Sequence, residues 1–89
     1  MISRRTTRFK KAFASLPTEI QEAARIAYRQ FRDDPAHPGL HLKQVHPSKP
    51  IYSARISLHY RALAVREGDT FVWFWIGSHS DYDQLIKRR

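Results

Sequence analysis

The sequence has 89 residues, 42% of them hydrophobic and 12% aromatic, which is enough for one modest core, so we expect a single domain over residues 1–89. Sixteen Lys and Arg against eight Asp and Glu give a net charge of +8, which favours a polyanionic partner, either nucleic acid or an acidic protein. No cysteine occurs, which excludes disulfides, thiolate nucleophiles and the usual zinc-finger ligand sets.

The N-terminal residues are basic but are not followed by the apolar segment of a secretory signal. No stretch approaches the roughly 20 apolar residues of a membrane span. We therefore expect a soluble, cytoplasmic protein with no membrane contact. The charge alone leaves open a basic protein that has no polyanionic partner.

Two amphipathic helices are predicted in the N-terminal third of the chain. Thr6 or Thr7 can cap the first helix. Pro17 suits the first turn of the second, and Thr18 and Gln21 have the spacing of a capping box. Because the link is short, the two helices should form an antiparallel hairpin. The apolar stripes are Phe9, Ala12, Phe13 and Leu16 in the first helix and Ile20, Ala23, Ala24, Ala27 and Phe31 in the second.

Residues 35–50 follow the second helix and contain four prolines and Gly39. That density of helix- and strand-breaking residues predicts a surface loop without a long regular element. Leu40, Leu42 and Val45 are expected to hold the loop against the core.

The C-terminal half changes to the alternating pattern of strands. Residues 51–60 predict a first strand, residues 60–66 a second, and the aromatic run over residues 70–76 a third strand that is buried on both faces or nearly so. A turn is expected at residues 67–69. In the first strand the core-facing residues are Tyr52, Ala54, Ile56 and Leu58, and the opposite face carries Ser53, Arg55 and Ser57.

The predicted fold class is α+β, with an antiparallel helix pair packed on one face of a small antiparallel sheet. Residues 80–89 predict a short C-terminal helix or tail. The other face of the sheet should be partly open, and Arg55 should lie on it.

Arg55 and Arg61 are the first candidates for a functional site. A tight turn between their strands should bring them close together, and two converging guanidinium groups can clamp a phosphate. The alternative is a solvated face with salt bridges. The strands carry no acidic residue before Glu67, so we favour anion binding.

His79 and Tyr82 are the second candidates. His79 comes directly after the last strand, where Gly77 gives the chain freedom to turn, and a histidine held there suits proton transfer. The alternative is a histidine that caps or packs. Tyr82 can present its ring to a nucleobase or its hydroxyl to a phosphate, or it can be a core residue.

Asp81 and Asp83 could form an acid pair, or a metal site together with His79. Ser78 and Ser80 each precede one of them by three residues, which is the spacing of helix capping. Acidic residues in a first helical turn also complement the helix dipole. We therefore interpret both aspartates as helix-start residues and expect no metal.

The motifs FKKAF, LPTEIQ, DPAHPGL, YSARI, YRAL, WFWIGSH and DYD occur in this order. In order and spacing, over residues 6–87, they resemble the RelE/ParE superfamily of toxins from bacterial type II toxin–antitoxin systems. The resemblance implies a small α+β toxin that an antitoxin wraps and neutralises. RelE-like members are ribosome-dependent endoribonucleases, whereas ParE-like members poison DNA gyrase.

The resemblance also suggests roles for single residues. Arg61 matches the strand arginine that RelE-like enzymes place at the scissile phosphate. In sequence position, His79 is close to the basic residue that follows the last strand of those enzymes, and Tyr82 is close to their C-terminal tyrosine. The strand that usually precedes the two helices in this superfamily is reduced here to the basic stretch MISRR. The histidine brings the chain nearer to the HigB- and YoeB-like members.

These observations give a hypothesis of metal-free and cofactor-free cleavage of ribosome-bound mRNA by 2′-hydroxyl attack on the adjacent phosphate. His79 would act as general acid or base, Arg55 and Arg61 would stabilise charge on the phosphate, and Tyr82 would orient a base or assist proton transfer. The alternatives are a gyrase inhibitor without nuclease activity and a non-catalytic module that binds nucleic acid or antitoxin.

Overall fold

The computed structural model describes residues 2–87, and within that range no helix is both long and apolar enough to cross a bilayer. The fold class is α+β, as predicted. The elements in chain order are β1 (Ile2–Arg5), α1 (Thr7–Ala14), α2 (Thr18–Asp33), a 3₁₀ turn (Pro38–Leu40), β2 (Lys43–Gln44), β3 (Ile51–Ser57), β4 (Tyr60–Glu67), β5 (Thr70–Ser78) and α3 (His79–Lys87).

The sheet has the strand order β1-β5-β4-β3-β2. Strands β3, β4 and β5 pair antiparallel, as predicted, and β2 also pairs antiparallel with β3. Strand β1 lies parallel to β5, which makes the sheet mixed. The prediction of three strands therefore missed two. Strand β1 lacks an alternating apolar pattern, and it is held by its ladder and by Trp73, whose Nε1 donates to Ser3 Oγ at 2.9 Å. Strand β2 is two residues long inside the proline-rich segment.

The two N-terminal helices form the predicted hairpin. Thr6 caps α1, because its Oγ1 accepts a hydrogen bond from the Phe9 backbone N–H at 3.1 Å. The predicted capping box at Thr18 and Gln21 is wrong: α2 follows Pro17 without a side-chain cap. Gln21 Nε2 instead donates to the carbonyls of residues 13 and 14 at 3.0 and 3.2 Å. The carbonyl of residue 13 also accepts from the Leu16 backbone N–H at 3.1 Å, so Gln21 adds a further donor at the C-terminus of α1 and ties the two helices together.

The core lies between the helix pair and one face of the sheet. Helix α1 packs on β5, and α2 packs on β3. Phe31 lies near the centre, edge-on to Phe71 at 5.0 Å and to Trp73 at 5.2 Å between ring centroids. Leu40 is buried against them, which confirms that this residue holds the loop to the core, and Leu42 packs at the margin. Aromatic edge contacts and burial of apolar area together stabilise the assembly.

Leu58 does not face the core, contrary to the prediction. Strand β3 ends at Ser57, its ladder is irregular between Arg55 and Ser57, and Leu58 lies in the tight turn to β4 with 71% of its surface exposed. The alternating pattern continued one step past the point where the chain turns. The face assignment holds for Tyr52, Ala54 and Ile56, all of which pack in or against the core.

A bulge in β5 places its two tryptophans on opposite faces of the sheet. The β4 partners of Trp73 and Trp75 are the adjacent residues Ala64 and Leu63, so Phe74 is the extra residue. Trp73 joins the core under the helices. Trp75 contacts Tyr82 of α3 on the other face. Helix α3 therefore covers part of the face that the sequence predicted to be open.

Candidate functional site

The candidate site lies on the sheet face that points away from α1 and α2. Ala54 and Ala62 belong to the core beneath the helices, so Arg55 and Arg61, next to them in the strands, point to the opposite face. Arg55 and Arg61 are direct cross-strand partners in the β3–β4 ladder. The prediction that the turn brings these two arginines together is confirmed for the backbone.

Arg61 is held by three side chains from two elements, β3 and α3. Its Nε donates to His79 Nδ1 at 3.3 Å, and its Nη1 donates to Ser53 Oγ at 3.2 Å. Its guanidinium carbon lies over the Tyr82 ring, 5.6 Å from the centroid. Ser53 is completely buried beneath the arginine. The side chain of Arg61 is thus fixed in position before any ligand arrives, which lowers the entropic cost of binding an anion.

His79 is the first residue of α3. Its backbone N–H donates to the carbonyl of His59 at 2.6 Å, which joins the start of the helix to the β3–β4 turn. Its Nε2 lies 3.5 Å from Asp83 Oδ2, and the two side chains are 46% and 45% exposed. The imidazole is therefore reachable from solvent, as a proton-transfer group must be.

The contact with Arg61 determines which nitrogen of His79 carries the proton. A guanidinium group can only donate, so Nδ1 of His79 must accept. In neutral His79 the proton then lies on Nε2, facing Asp83. A protonated imidazole has no acceptor nitrogen, so protonation of Nδ1 and the Arg61 hydrogen bond exclude each other.

Tyr82 is only 5% exposed. Its ring lies between Trp75 and His79, with centroids 6.4 and 5.9 Å away, and beneath the guanidinium of Arg61. This burial supports the packing alternative that the sequence left open. The ring forms one wall of the site and supports Arg61 by a cation–π contact.

Gly77 has a steric role rather than the predicted role in a turn. It lies inside β5, and its φ is outside the left-handed region. A Cβ at this position would come within 2.7 Å of the Trp75 ring. The indole of Trp75 therefore crosses directly over Gly77, next to Arg61, which is the cross-strand partner of Gly77.

Arg55 has a different neighbour from Arg61. Its Nη1 lies 3.5 Å from Nε2 of His41, a residue of the loop before β2. His41 has φ 46°, a left-handed backbone conformation that is uncommon outside glycine. The site therefore extends from His79 and Arg61 to Arg55 and His41 along one face of the sheet. Nothing in the sequence indicated His41, because its position depends on this backbone conformation.

The two aspartates of α3 have different roles. Ser78 Oγ accepts from the Asp81 backbone N–H at 3.1 Å, which confirms the predicted cap and the helix-start role of Asp81. Asp83, which we assigned the same role, contacts His79 one helical turn away instead. The i, i+4 spacing would have shown this if the helix had been predicted to begin at His79. Among residues 2–87, no group of three or more His, Asp or Glu side chains is arranged to hold a metal ion.

Comparison with known proteins identifies the family. The model of the ParE-like toxin domain matches residues 18–84, although no curated protein sequence matches the chain. The fold is similar to that of the toxin in the RelB–RelE antitoxin–toxin complex from Methanococcus jannaschii, with a TM-score of 0.74, 18% identity, and coverage of 91% of this chain and 96% of that one.

Two further solved structures share the fold. YafQ from Escherichia coli BL21(DE3) has a TM-score of 0.72 at 8% identity and covers 90% of this chain and 94% of its own. The YoeB/ParE toxin from Agrobacterium tumefaciens has a TM-score of 0.68 at 13% identity and covers 89% and 99%. From the family match over most of its length, this chain belongs to the ParE-like toxin family, within the RelE/ParE superfamily that its motifs resemble.

Proposed function

We propose that this toxin is a metal-free and cofactor-free endoribonuclease that cleaves mRNA on the ribosome in the cytoplasm. The observation that supports the proposal is the arrangement of Arg61, which is fixed by Ser53 and Tyr82 next to the half-exposed imidazole of His79. A preorganised cation beside a proton-transfer group is what a phosphodiester transesterification needs.

In the proposed reaction, the RNA 2′-oxygen attacks the adjacent phosphorus as the bond from phosphorus to the 5′-oxygen breaks. The products are a 2′,3′-cyclic phosphate and a free 5′-hydroxyl end. The 2′-hydroxyl loses one proton and the leaving oxygen gains one, and His79 serves as the acid or base in this exchange. Arg61 and its cross-strand partner Arg55 stabilise the charge on the phosphate oxygens.

Phosphate binding and the proton transfer by His79 are coupled in this proposal. A phosphate oxygen is a stronger acceptor for Arg61 Nε than a neutral imidazole, because its bond is charge-assisted at both ends. When the phosphate takes that donor, Nδ1 of His79 becomes free to bind a proton. Tyr82 orients Arg61 through the ring contact and holds its guanidinium against the phosphate.

We also propose that a cognate antitoxin binds and neutralises this chain. The toxins of similar fold from Methanococcus jannaschii and Pyrococcus horikoshii were solved in RelB–RelE complexes. The net charge of +8 favours an acidic partner segment. A small acidic protein encoded beside this chain would support the assignment.

The test is expression in growing cells followed by mapping of mRNA 5′-hydroxyl ends. The native chain should inhibit growth and create new ends within translated codons, and His79→Ala and Arg61→Ala should each abolish both effects while the protein stays folded. His59→Ala and Arg8→Ala are the matched controls, since each removes the same type of side chain from an exposed position. Full toxicity of both site variants would show that this site is wrong.

The second candidate function is inhibition of DNA gyrase without RNA cleavage, which the ParE-like description of the matching family favours. The same experiment separates the two functions. Induction of the DNA-damage response without new mRNA ends would support gyrase as the target. If neither new mRNA ends nor a DNA-damage response is observed, the remaining function is that of a non-catalytic module that binds nucleic acid or antitoxin.

A further inference from the structure

A second basic surface lies in the helix layer, on the opposite side of the sheet from Arg61 and His79. It is an open groove of about 530 Å³ at the α1–α2 pair and the end of β1, which we call the helix groove. Its floor includes Ala24 and the rings of Phe9, Phe13 and Tyr28. The five cations that line it are Arg5, Lys10, Arg25, Arg29 and Arg32.

The charge of the helix groove is only partly compensated. Over residues 2–87, no acidic side chain lines it, and the side chains of Lys10 and Arg29 have no hydrogen-bond or ion-pair partner. Arg25 and Arg32 do pair with Glu22 and Asp33, at 3.4 and 3.6 Å, but all four side chains are more than half exposed, so water competes with these pairs.

The three arginines of α2 form a row along the groove. Arg25, Arg29 and Arg32 have the spacing i, i+4 and i+7, which places them on one helix face over about 10 Å at the ~1.5 Å rise per residue. Arginine binds phosphate through two parallel N–H bonds, so such a row suits a strand with repeated phosphates.

Two guanidinium groups of the groove lie over aromatic rings. Arg5 lies over Tyr28 at 5.4 Å, and Arg25 lies over Phe13 at 5.3 Å from the ring centroid. A guanidinium group that lies over a ring on one side can stack against a nucleobase on the other. An amphipathic peptide helix needs an open apolar floor instead, and here two of the three rings are covered.

We propose that the helix groove binds a short single-stranded segment of nucleic acid. Arg29, Arg32 and Lys10 hold its phosphates, while the guanidinium planes of Arg5 and Arg25 stack against its bases. The segment lies on the other side of the sheet from the candidate site, so this binding does not depend on catalysis at Arg61. If one nucleic acid bound to both faces, the helix groove would hold it at a point away from the position that is cut.

The experiment measures fluorescence anisotropy of labelled oligothymidylate and oligouridylate with the folded full chain over a series of salt concentrations. The double variant Arg29→Gln/Arg32→Gln should lower the slope of log affinity against log salt by about 0.7 for each phosphate that the variant no longer neutralises. Arg8→Gln/Lys11→Gln is the matched control, since it removes two exposed cations of α1 that do not line the groove. That control should retain most of the native affinity and slope.

Equal losses of affinity in the groove variant and in the control would overturn the proposal, because they would show a diffuse charge effect. Loss of binding to a glutamate-rich helical peptide, with oligonucleotide binding unchanged, would overturn it in favour of a protein ligand. Arg61→Ala should keep the groove-dependent binding, and oligothymidylate has no 2′-hydroxyl to cleave. The inference can therefore fail while the nuclease proposal stands, and the reverse.

Discussion

Arg61 and His79 are eighteen residues apart in sequence and meet at 3.3 Å, with the Nε of Arg61 donating to Nδ1 of His79. The bond joins β4, the central strand of the sheet, to the first residue of α3. It fixes the tautomer of the histidine and limits the rotation of the arginine. The chemistry proposed for this face therefore depends on a pair of residues, and neither acts alone.

Replacing Arg61 with lysine should inactivate the toxin although the charge is kept. One ammonium group on a flexible stem cannot reproduce the fixed planar contacts to His79 and Ser53. We expect roughly a 10²-fold lower rate of cleavage on programmed ribosomes. Arg66→Lys on the same strand is the control and should cleave at the native rate, because Arg66 is exposed and its Nε donates to the Gly68 carbonyl, away from the site. Native activity of Arg61→Lys would contradict the proposed clamp.

The environment of Nδ1 in the His79 ring should change when a phosphate binds. In the free protein, nitrogen NMR of the ring should show Nδ1 unprotonated, since it accepts from Arg61. Addition of a non-cleavable deoxyoligonucleotide should move the Nδ1 resonance, because the phosphate takes over the Arg61 donor. The same titration with Arg61→Ala should leave the resonance unmoved. An unchanged spectrum for the native chain would separate His79 from the phosphate site.

Replacing Gly77 with alanine should destabilise the fold and disturb the site. The added methyl group would meet the Trp75 ring at 2.7 Å, and that ring packs on Tyr82. Overpacking of this kind costs about 1–3 kcal/mol in the free energy of unfolding, measured by urea denaturation. Gly68→Asn is the comparison, since its left-handed φ of 61° tolerates asparagine and nothing lies within 4 Å of a Cβ there. A smaller loss of stability for Gly77→Ala than for Gly68→Asn would refute the steric role.

Truncation of Leu40 should destabilise the fold strongly, whereas truncation of Leu58 should have little effect. Leu40 is 1% exposed in the core, so Leu40→Ala should lower the free energy of unfolding by about 2–5 kcal/mol. Leu58 lies in the exposed turn, so Leu58→Ala should change it by less than about 0.5 kcal/mol. Thermal and urea unfolding of both variants measure the difference. A large destabilisation at Leu58 would mean that the turn packs against another surface.

The local patterns of the sequence determined the fold class. Helical periodicity in α1 and α2, alternation in β3 and the aromatic run of β5 each report burial of one face, which depends on neighbours a few residues away. The same local information predicted the cap at Ser78 and the cross-strand proximity of Arg55 and Arg61. Strands β1 and β2 escaped prediction because a short strand is held by its partners and carries little pattern of its own.

The functional groups of the site were named from the sequence, but only the tertiary structure decided their contacts. Asp83 contacts His79, and Gly77 changed from a turn residue to a neighbour of the Trp75 ring, because a bulge in β5 and the start of α3 at His79 set their directions. Ser53 lies on the face that its place in β3 predicted, but its bond to Arg61 was found only in the folded molecule. Side-chain chemistry is a property of each residue type, so the sequence states it directly. Distances between residues far apart in the chain depend on how the strands register and where the last helix begins, so they required the folded molecule.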